Sequence, residues 1–154
     1  MTVAFRRVLA VLTLVAGLLA SPILATAQGI SETDQTALTG PWQGVWTGRG
    51  FEYEGEMRLK VGSAGEVDGA IQWVLRASPR EAEKKKIGMK GTEYVRGRFI
   101  PEFGLLVLEG YRKDDPDVVL GLDKYRLVVS ENRGAVGGIT LNHGQWDGRF
   151  YLHR

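Results

Sequence analysis

The sequence predicts an all-β domain, an eight-stranded antiparallel β-barrel of the up-and-down type with one short helix in the link between strands three and four. Three observations support this fold class. From Trp42 onward, apolar residues recur at every second position, which is the period of a half-buried strand. Nearly every such run contains a glycine, as expected where strands bend at barrel corners or make room for an aromatic ring. The pattern Gly-x-Trp-x-Gly-x-aromatic occurs at 40–46 and again at 144–150.

Residues 1–27 have the features of a cleaved secretory signal peptide. Arg6 and Arg7 precede an apolar stretch over 8–20, and Ala25-Thr26-Ala27 fits the small-x-small rule for cleavage. The alternative is an uncleaved membrane anchor, but the apolar stretch is shorter than the ~20 residues that span a bilayer. We therefore expect a periplasmic or secreted protein with no stable membrane anchor after cleavage.

The rest of the chain is expected to form a flexible polar leader at 28–40 and a single barrel domain at 41–154. Without the two arginines of the signal peptide, the 20 basic residues become 18, which equals the 18 acidic residues. Because a nucleic-acid site needs a clustered basic face, this balance disfavours nucleic acid as a partner. The sequence contains no cysteine, which excludes disulfides and thiolate metal sites, and it contains only two histidines.

Eight segments show the strand period. They are 42–48, 53–61, 67–75, 93–100, 105–112, 118–129, 135–142 and 145–153. The links at 62–65, 101–104 and 131–134 are rich in turn residues, which predicts hairpins between consecutive strands. A barrel of consecutive hairpins closes when its last strand pairs with its first, and closure removes both sheet edges. A two-sheet sandwich is the alternative.

The repeated pattern predicts how the barrel closes. Trp42, Gly44 and Trp46 share one face of the first strand. Trp146, Gly148 and Phe150 share one face of the last strand. Antiparallel pairing of these two strands would form an aromatic seam with room at the glycines.

The links after strands one, three, five and seven share the other end of an up-and-down barrel. These links, at 49–52, 78–91, 113–117 and 142–144, form the predicted binding mouth. Ser78-Pro79-Arg80-Glu81 has the form of a capping box, and Lys84–Lys86 suit the last turn of a helix. We expect two helical turns here, which act either as a lid or as a solvated connector.

Gly44-Val45-Trp46 near the start of a small eight-stranded barrel is similar to the Gly-x-Trp of the first strand in lipocalins and avidins. In lipocalins a late arginine packs over that tryptophan, a role that Arg149 or Arg154 could take here. Asp123-Lys124-Tyr125 loosely resembles the lipocalin Asp-Tyr signature. The resemblance implies a calycin-type barrel that binds small ligands, and it assigns no binding residue.

The candidate ligand-binding residues are Trp46, Trp73, Asp123, Tyr125, Asn142, His143 and Trp146. Asp123 and Tyr125 share strand parity, so either both enter the apolar lumen or Asp123 lies solvated near the rim. His143 suits a turn position with positive φ, and haem ligation is the alternative. Residues 114–117 suit an Asp-Pro turn, and a divalent-cation site is the alternative.

These features predict a non-catalytic exported protein that binds a small apolar or amphipathic ligand, without cofactor or metal. One alternative is a protein-interaction module, such as a periplasmic inhibitor or accessory factor. Another is a small acid–base enzyme, although the sequence contains no catalytic motif. Side chains could also fill the lumen; the bulky candidates are Trp42, Trp46, Met57, Ile71, Trp73, Phe99 and Phe150.

Overall fold

A computed structural model describes residues 29–154, so the predicted signal peptide at 1–27 lies outside the described residues. Eight antiparallel strands follow one another around a closed barrel, which confirms the predicted fold class and rules out the sandwich. The strands are β1 (Gly40–Gly48), β2 (Phe51–Val61), β3 (Glu66–Ala77), β4 (Lys90–Ile100), β5 (Leu105–Asp114), β6 (Lys124–Val129), β7 (Ala135–Asn142) and β8 (Gln145–His153). The helices are α1 (Glu32–Leu38) and two 3₁₀ helices, Glu81–Lys86 and Pro101–Phe103.

The two copies of the repeated pattern lie side by side, because β1 pairs with β8. Trp46 lies opposite Phe150, and Gly44 lies opposite Leu152. Trp46, Phe150 and Leu152 are all buried. The pattern therefore marks the closure of the barrel, as the sequence predicts.

An arginine does pack over a tryptophan of β1, but the tryptophan is Trp42 and not Trp46. The guanidinium carbon of Arg154 lies 4.4 Å from the centroid of the Trp42 ring. The Trp42 indole nitrogen donates to the Leu38 carbonyl at 3.1 Å. Trp46 instead donates from its indole nitrogen to Thr140 Oγ1 at 2.7 Å.

Alternation along the strands places the apolar residues inside the barrel. In β2, Met57, Leu59 and Val61 are buried, whereas Arg58 and Lys60 are exposed. The core also contains every bulky residue that the sequence analysis considered as lumen-filling. These residues are Trp42, Trp46, Met57, Ile71, Trp73, Phe99 and Phe150. Side chains therefore fill most of the lumen.

Two glycines make room for the tryptophans that border the remaining space. Gly55 lies opposite Trp73, and a Cβ at Gly55 would stand 2.3 Å from the Trp73 ring. A Cβ at Gly148 would stand 2.0 Å from Thr140 Oγ1 and 2.7 Å from the Trp46 indole nitrogen. The expectation that strand glycines accommodate aromatic rings is confirmed at these positions.

The segment predicted as a flexible leader contains α1, which the sequence analysis missed. Ser31 caps the helix by accepting a hydrogen bond from the Asp34 backbone nitrogen. Leu38 is 1% exposed, and Asp34 forms a 2.7 Å ion pair with Arg133 in the link between β6 and β7. The helix therefore closes the end of the barrel that carries the short turns. None of the helices in residues 29–154 is long and apolar enough to cross a membrane.

Two elements differ substantially from the predictions, whereas the ends of the other strands differ by no more than three residues. The sixth strand covers Lys124–Val129 and not 118–129, because residues 118–123 leave the sheet and line the open end. The predicted α-helical turns are a 3₁₀ helix that begins at Glu81. Ser78 does not cap Glu81; its hydroxyl accepts from the Arg80 backbone nitrogen and donates to Glu83 Oε2, both at 3.1 Å.

Candidate functional site

A cavity of about 310 Å³ opens at the end of the barrel that carries the links after β1, β3, β5 and β7. We call it the mouth cavity. Its volume lies at the lower end of the ~300–1,000 Å³ range of small-molecule sites. Its lining includes Trp46, Arg49, Phe51, Tyr53, Trp73, Arg80, Glu83, Lys86, Glu93, Val118, Gly121, Asp123, Tyr125, Asn142, His143 and Asp147. Each of the four links at this end contributes to that lining, but the link after β5 does so through residues within 118–123 and not through the predicted 113–117.

Two of these links are tighter than predicted. Arg49 and Gly50 have φ of 51° and 81°, and His143 and Gly144 have φ of 47° and 81°. Positive φ at both central residues is the requirement of a two-residue type I′ hairpin. His143 therefore occupies the turn position with positive φ that the sequence analysis considered for it.

An aromatic wall surrounds the inner part of the cavity. The rings of Trp46 and Tyr53 are 5.6 Å apart between centroids, and those of Tyr53 and Trp73 are 6.3 Å apart. Phe150 lies behind this wall, 5.9 Å from Trp73 and 5.4 Å from Tyr125. All four pairs meet edge to face, which aromatic rings favour over direct stacking.

Glu93 is the most deeply buried acid of the site, with 2% of its surface exposed. Its carboxylate accepts from the Tyr125 hydroxyl and, at 2.8 Å, from the Asp123 backbone nitrogen. Burial raises the pKa of Glu93 to about 7, although the hydrogen bonds from Tyr125 and the Asp123 backbone act to lower it. Glu93 is therefore partly protonated near neutral pH.

Asp123 is the second buried acid, with 6% of its surface exposed. Burial raises the pKa of Asp123 to about 6, and the nearby Thr140 and Asn142 side chains act to lower it, although neither forms a hydrogen bond to Asp123 Oδ1. Among residues 29–154, Asp123 Oδ1 is the buried side-chain atom without a hydrogen-bond partner. Asp123 and Tyr125 both point inward, so the reading that places Asp123 solvated at the rim is wrong.

The segment 118–123 is held in place by hydrogen bonds to Asp115, the residue that follows β5. Asp115 accepts from the backbone nitrogens of Val119 and Leu120 at 2.8 Å and 2.9 Å. Burial acts to raise the pKa of Asp115, but these two bonds and Lys113 outweigh it and lower the pKa. The structure therefore gives the predicted Asp-Pro region the role of a turn.

A further contact joins this segment to the aromatic wall. The Tyr53 hydroxyl donates to the Val119 carbonyl at 2.6 Å. Burial, reinforced by the nearby acids Glu83, Asp115 and Asp123, raises the pKa of Tyr53 to about 12. Tyr53 therefore stays protonated at neutral pH and can keep donating this hydrogen bond.

The arginine and lysine residues of the cavity lie at its rim, and each already has an ion-pair or hydrogen-bond partner. Arg49 pairs with Asp147, and Arg80 pairs with Glu83 at 2.9 Å. Lys86 donates to the Val118 carbonyl at 2.9 Å, which joins the 3₁₀ helix to the neighbouring link after β5.

Six of the seven predicted site residues line the mouth cavity, and Trp146 does not. The six are Trp46, Trp73, Asp123, Tyr125, Asn142 and His143. A register shift between Thr140 and Asn142 interrupts the pairing of β7 with β8. Trp146 lies 39% exposed with Arg126 over its ring, and Asp147 contributes to the cavity in its place. A bulge reverses strand alternation locally, and no sequence signal marked this one.

Glu93 was not among the site residues predicted from the sequence, although its position carried a signal. Glu93 has the same strand parity as Val95 and Phe99, which are buried. An acid at an inward position of a predicted strand is therefore the feature that could have identified it. Within residues 29–154, no group of three or more histidine, cysteine or acidic side chains is placed to hold a metal ion.

Comparison of the chain with protein-family models, with curated proteins and with solved structures gave no match. The barrel and its cavity are therefore the observations from which a function can be inferred.

Proposed function

We propose that this chain is a non-catalytic binding protein that holds a small amphipathic molecule in the mouth cavity. One observation carries the proposal: a single cavity combines an aromatic wall with the buried, unpartnered oxygen of Asp123. Sites for small molecules typically combine a mostly apolar lining with a few placed polar groups. The proposal extends the resemblance to lipocalins and avidins from the barrel to the use of its mouth.

The proposed function includes export. The features of residues 1–27 predict a signal peptide that is cleaved after Ala27, which would place the barrel in the periplasm or outside the cell. The mass of the denatured protein, purified from its exported form, tests this part. A mass that begins at Gln28 supports it, and a full-length chain contradicts it.

Native mass spectrometry tests whether the cavity holds a ligand. The protein is purified gently from its exported form, and we expect an adduct of small-molecule mass that is lost on denaturation. The variant Gly121→Phe should lose the adduct, because a Cβ at Gly121 faces Asn142 and Asp123 inside the cavity. Gly134→Phe is the matched control, since it makes the same change in a turn at the closed end. An adduct that survives Gly121→Phe would place the ligand elsewhere.

A small acid–base enzyme is the second candidate, favoured by the pair of buried carboxyls at the cavity. Groups whose pKa values are raised toward neutrality by burial suit proton transfer at neutral pH. The two candidates differ in what happens to a bound molecule. Recovery of the adduct unchanged after incubation with fresh protein supports binding, and its conversion to a product supports catalysis.

A further inference from the structure

The charges of the mouth cavity are distributed unequally between rim and floor. At the rim, each of the three basic side chains already has an acidic or carbonyl partner. On the floor, Glu93 and Asp123 are buried together, and none of the ion pairs formed by residues 29–154 includes either of them. The floor therefore carries negative charge that no basic side chain balances.

The two floor acids differ in what they can still accept. Both oxygens of Glu93 take part in hydrogen bonds, one from the Asp123 backbone and one from the Tyr125 hydroxyl. Asp123 Oδ1 has no partner among residues 29–154. A buried carboxylate oxygen is costly unless it accepts a hydrogen bond or faces a cation. A ligand that donates a hydrogen bond to Asp123 Oδ1 would remove this cost. A cationic donor would also balance the negative charge of the floor.

The aromatic wall of the same cavity is also suited to a cation. Trp46, Tyr53 and Trp73 line the same cavity and contact one another edge to face. The faces of aromatic rings attract ammonium groups, and the attraction is stronger away from water. An anionic ligand would instead meet two buried acids.

We propose that the mouth cavity is selective for small organic cations, with a protonated amine that donates to Asp123 Oδ1 and an apolar part that contacts the Trp46 and Trp73 rings. This inference rests on the proposed function and names its ligand class. A cavity of about 310 Å³ suits an amine that carries a single ring or a short chain.

Isothermal titration with three probes of similar size tests the inference. The probes are 2-phenylethylamine, the neutral 2-phenylethanol and the anionic phenylacetate. At pH 7.5 we expect the amine to bind at least about tenfold more tightly than the alcohol, since a hydrogen bond between charged groups is stronger than a neutral one. Phenylacetate should bind most weakly. Equal or tighter binding of the alcohol would overturn the inference.

The variant Asp123→Asn, with a matched control, tests whether Asp123 causes the preference for the amine over the alcohol. Asparagine keeps the shape of the side chain and removes its charge, so the amine should lose at least about tenfold in affinity while the alcohol changes little. Asp117→Asn makes the same change at an exposed position of the same end and should leave both affinities unchanged. Full affinity for the amine in Asp123→Asn would overturn the assignment of Asp123.

A measurement on the unmodified protein keeps the inference testable if Asp123→Asn does not fold. The other ionisable groups that line the cavity with Asp123 are Tyr53 on β2, Glu93 on β4, Tyr125 on β6, Asp147 on β8 with its partner Arg49, His143 in the link before β8, and Arg80, Glu83 and Lys86 before or on the 3₁₀ helix. Asp123 takes up a proton as the pH falls through about 6, whereas an alkylamine of pKa about 10.4 stays charged. The rise in Tm caused by 2-phenylethylamine should therefore be larger at pH 7.5 than at pH 5.0. A rise that is equal or larger at pH 5.0 would overturn the inference.

The probes also separate this inference from the proposed function. If the exported protein carries an adduct and the alcohol is its preferred probe, the binding function stands and selectivity for cations is wrong. If none of the three probes binds and no adduct is found, both are wrong.

Discussion

The geometry of the site depends on the absence of a Cβ atom at Gly110. A Cβ at this position would stand 1.9 Å from Glu93 Oε1, well inside contact distance. The carboxylate cannot simply move away, because Tyr125 and the Asp123 backbone hold its two oxygens. The Gly110 backbone nitrogen also donates to the Asp123 carbonyl at 2.7 Å. Gly110 therefore positions both buried acids.

Gly110→Ala should destabilise the protein by about 1–3 kcal/mol, because the added methyl group displaces a hydrogen-bonded carboxylate. Urea unfolding measures the change in the free energy of unfolding. A double-mutant cycle with Glu93→Ala provides the control, since removal of the carboxylate should relieve most of the cost. Additive effects in the cycle would contradict a direct clash between Gly110→Ala and Glu93.

Helix α1 stabilises the barrel through a small number of contacts. Its last residue, Leu38, is fully buried, and the Leu38 carbonyl accepts from the Trp42 indole nitrogen. Ile30, which precedes the helix, also belongs to the core and donates from its backbone nitrogen to the Ser63 carbonyl at 2.8 Å. These contacts make the segment part of the folded domain.

Leu38→Ala should cost about 2–5 kcal/mol, the usual range for truncation of a buried leucine. Thr36→Ala lies in the same helix at an exposed position and should change stability by less than about 0.5 kcal/mol. Urea unfolding of both variants at one pH measures these changes in the free energy of unfolding. Equal values for the two variants would show that α1 is not part of the cooperative core.

The strands could be predicted from the sequence because their apolar residues alternate over many positions. Helix α1 and the bulge where β7 pairs with β8 show no such repeated pattern and were not predicted. Seven of the eight strands were close to their observed positions because every second residue reports on the core. Helix α1 buries only Leu38, so its seven residues show no apolar period. The bulge between Thr140 and Asn142 depends on pairing with β8, which a single strand does not reveal. That bulge accounts for the wrong placement of Trp146.

At the scale of the whole molecule, the buried acids make stability depend on pH. Burial raises the pKa of Glu93 from 4.5 to about 7 and that of Asp123 from 3.8 to about 6. The folded state therefore binds more protons than the unfolded state between about pH 4 and 7. The stability that these groups contribute is fully present below about pH 4 and is lost as the pH rises through 6 and 7.

Glu93→Gln should remove much of this dependence, because glutamine cannot ionise. Relative to the variant, the unmodified protein should lose on the order of 3 kcal/mol of stability between pH 4.5 and pH 8. Urea unfolding at several pH values measures the loss. Glu102→Gln, at an exposed position, should follow the unmodified protein. A parallel course of the unmodified and Glu93→Gln curves would contradict the raised pKa of Glu93.

We propose that the open end of this barrel holds a small molecule on the carboxylate of Asp123. A crystal structure of the protein with 2-phenylethylamine at pH 7.5 tests it most directly. We expect the ammonium nitrogen about 2.7–2.9 Å from Asp123 Oδ1, the range of charge-assisted hydrogen bonds, with the phenyl ring against Trp46 and Trp73. An amine bound outside the mouth cavity, or a cavity that stays without it at saturating concentration, would contradict the claim.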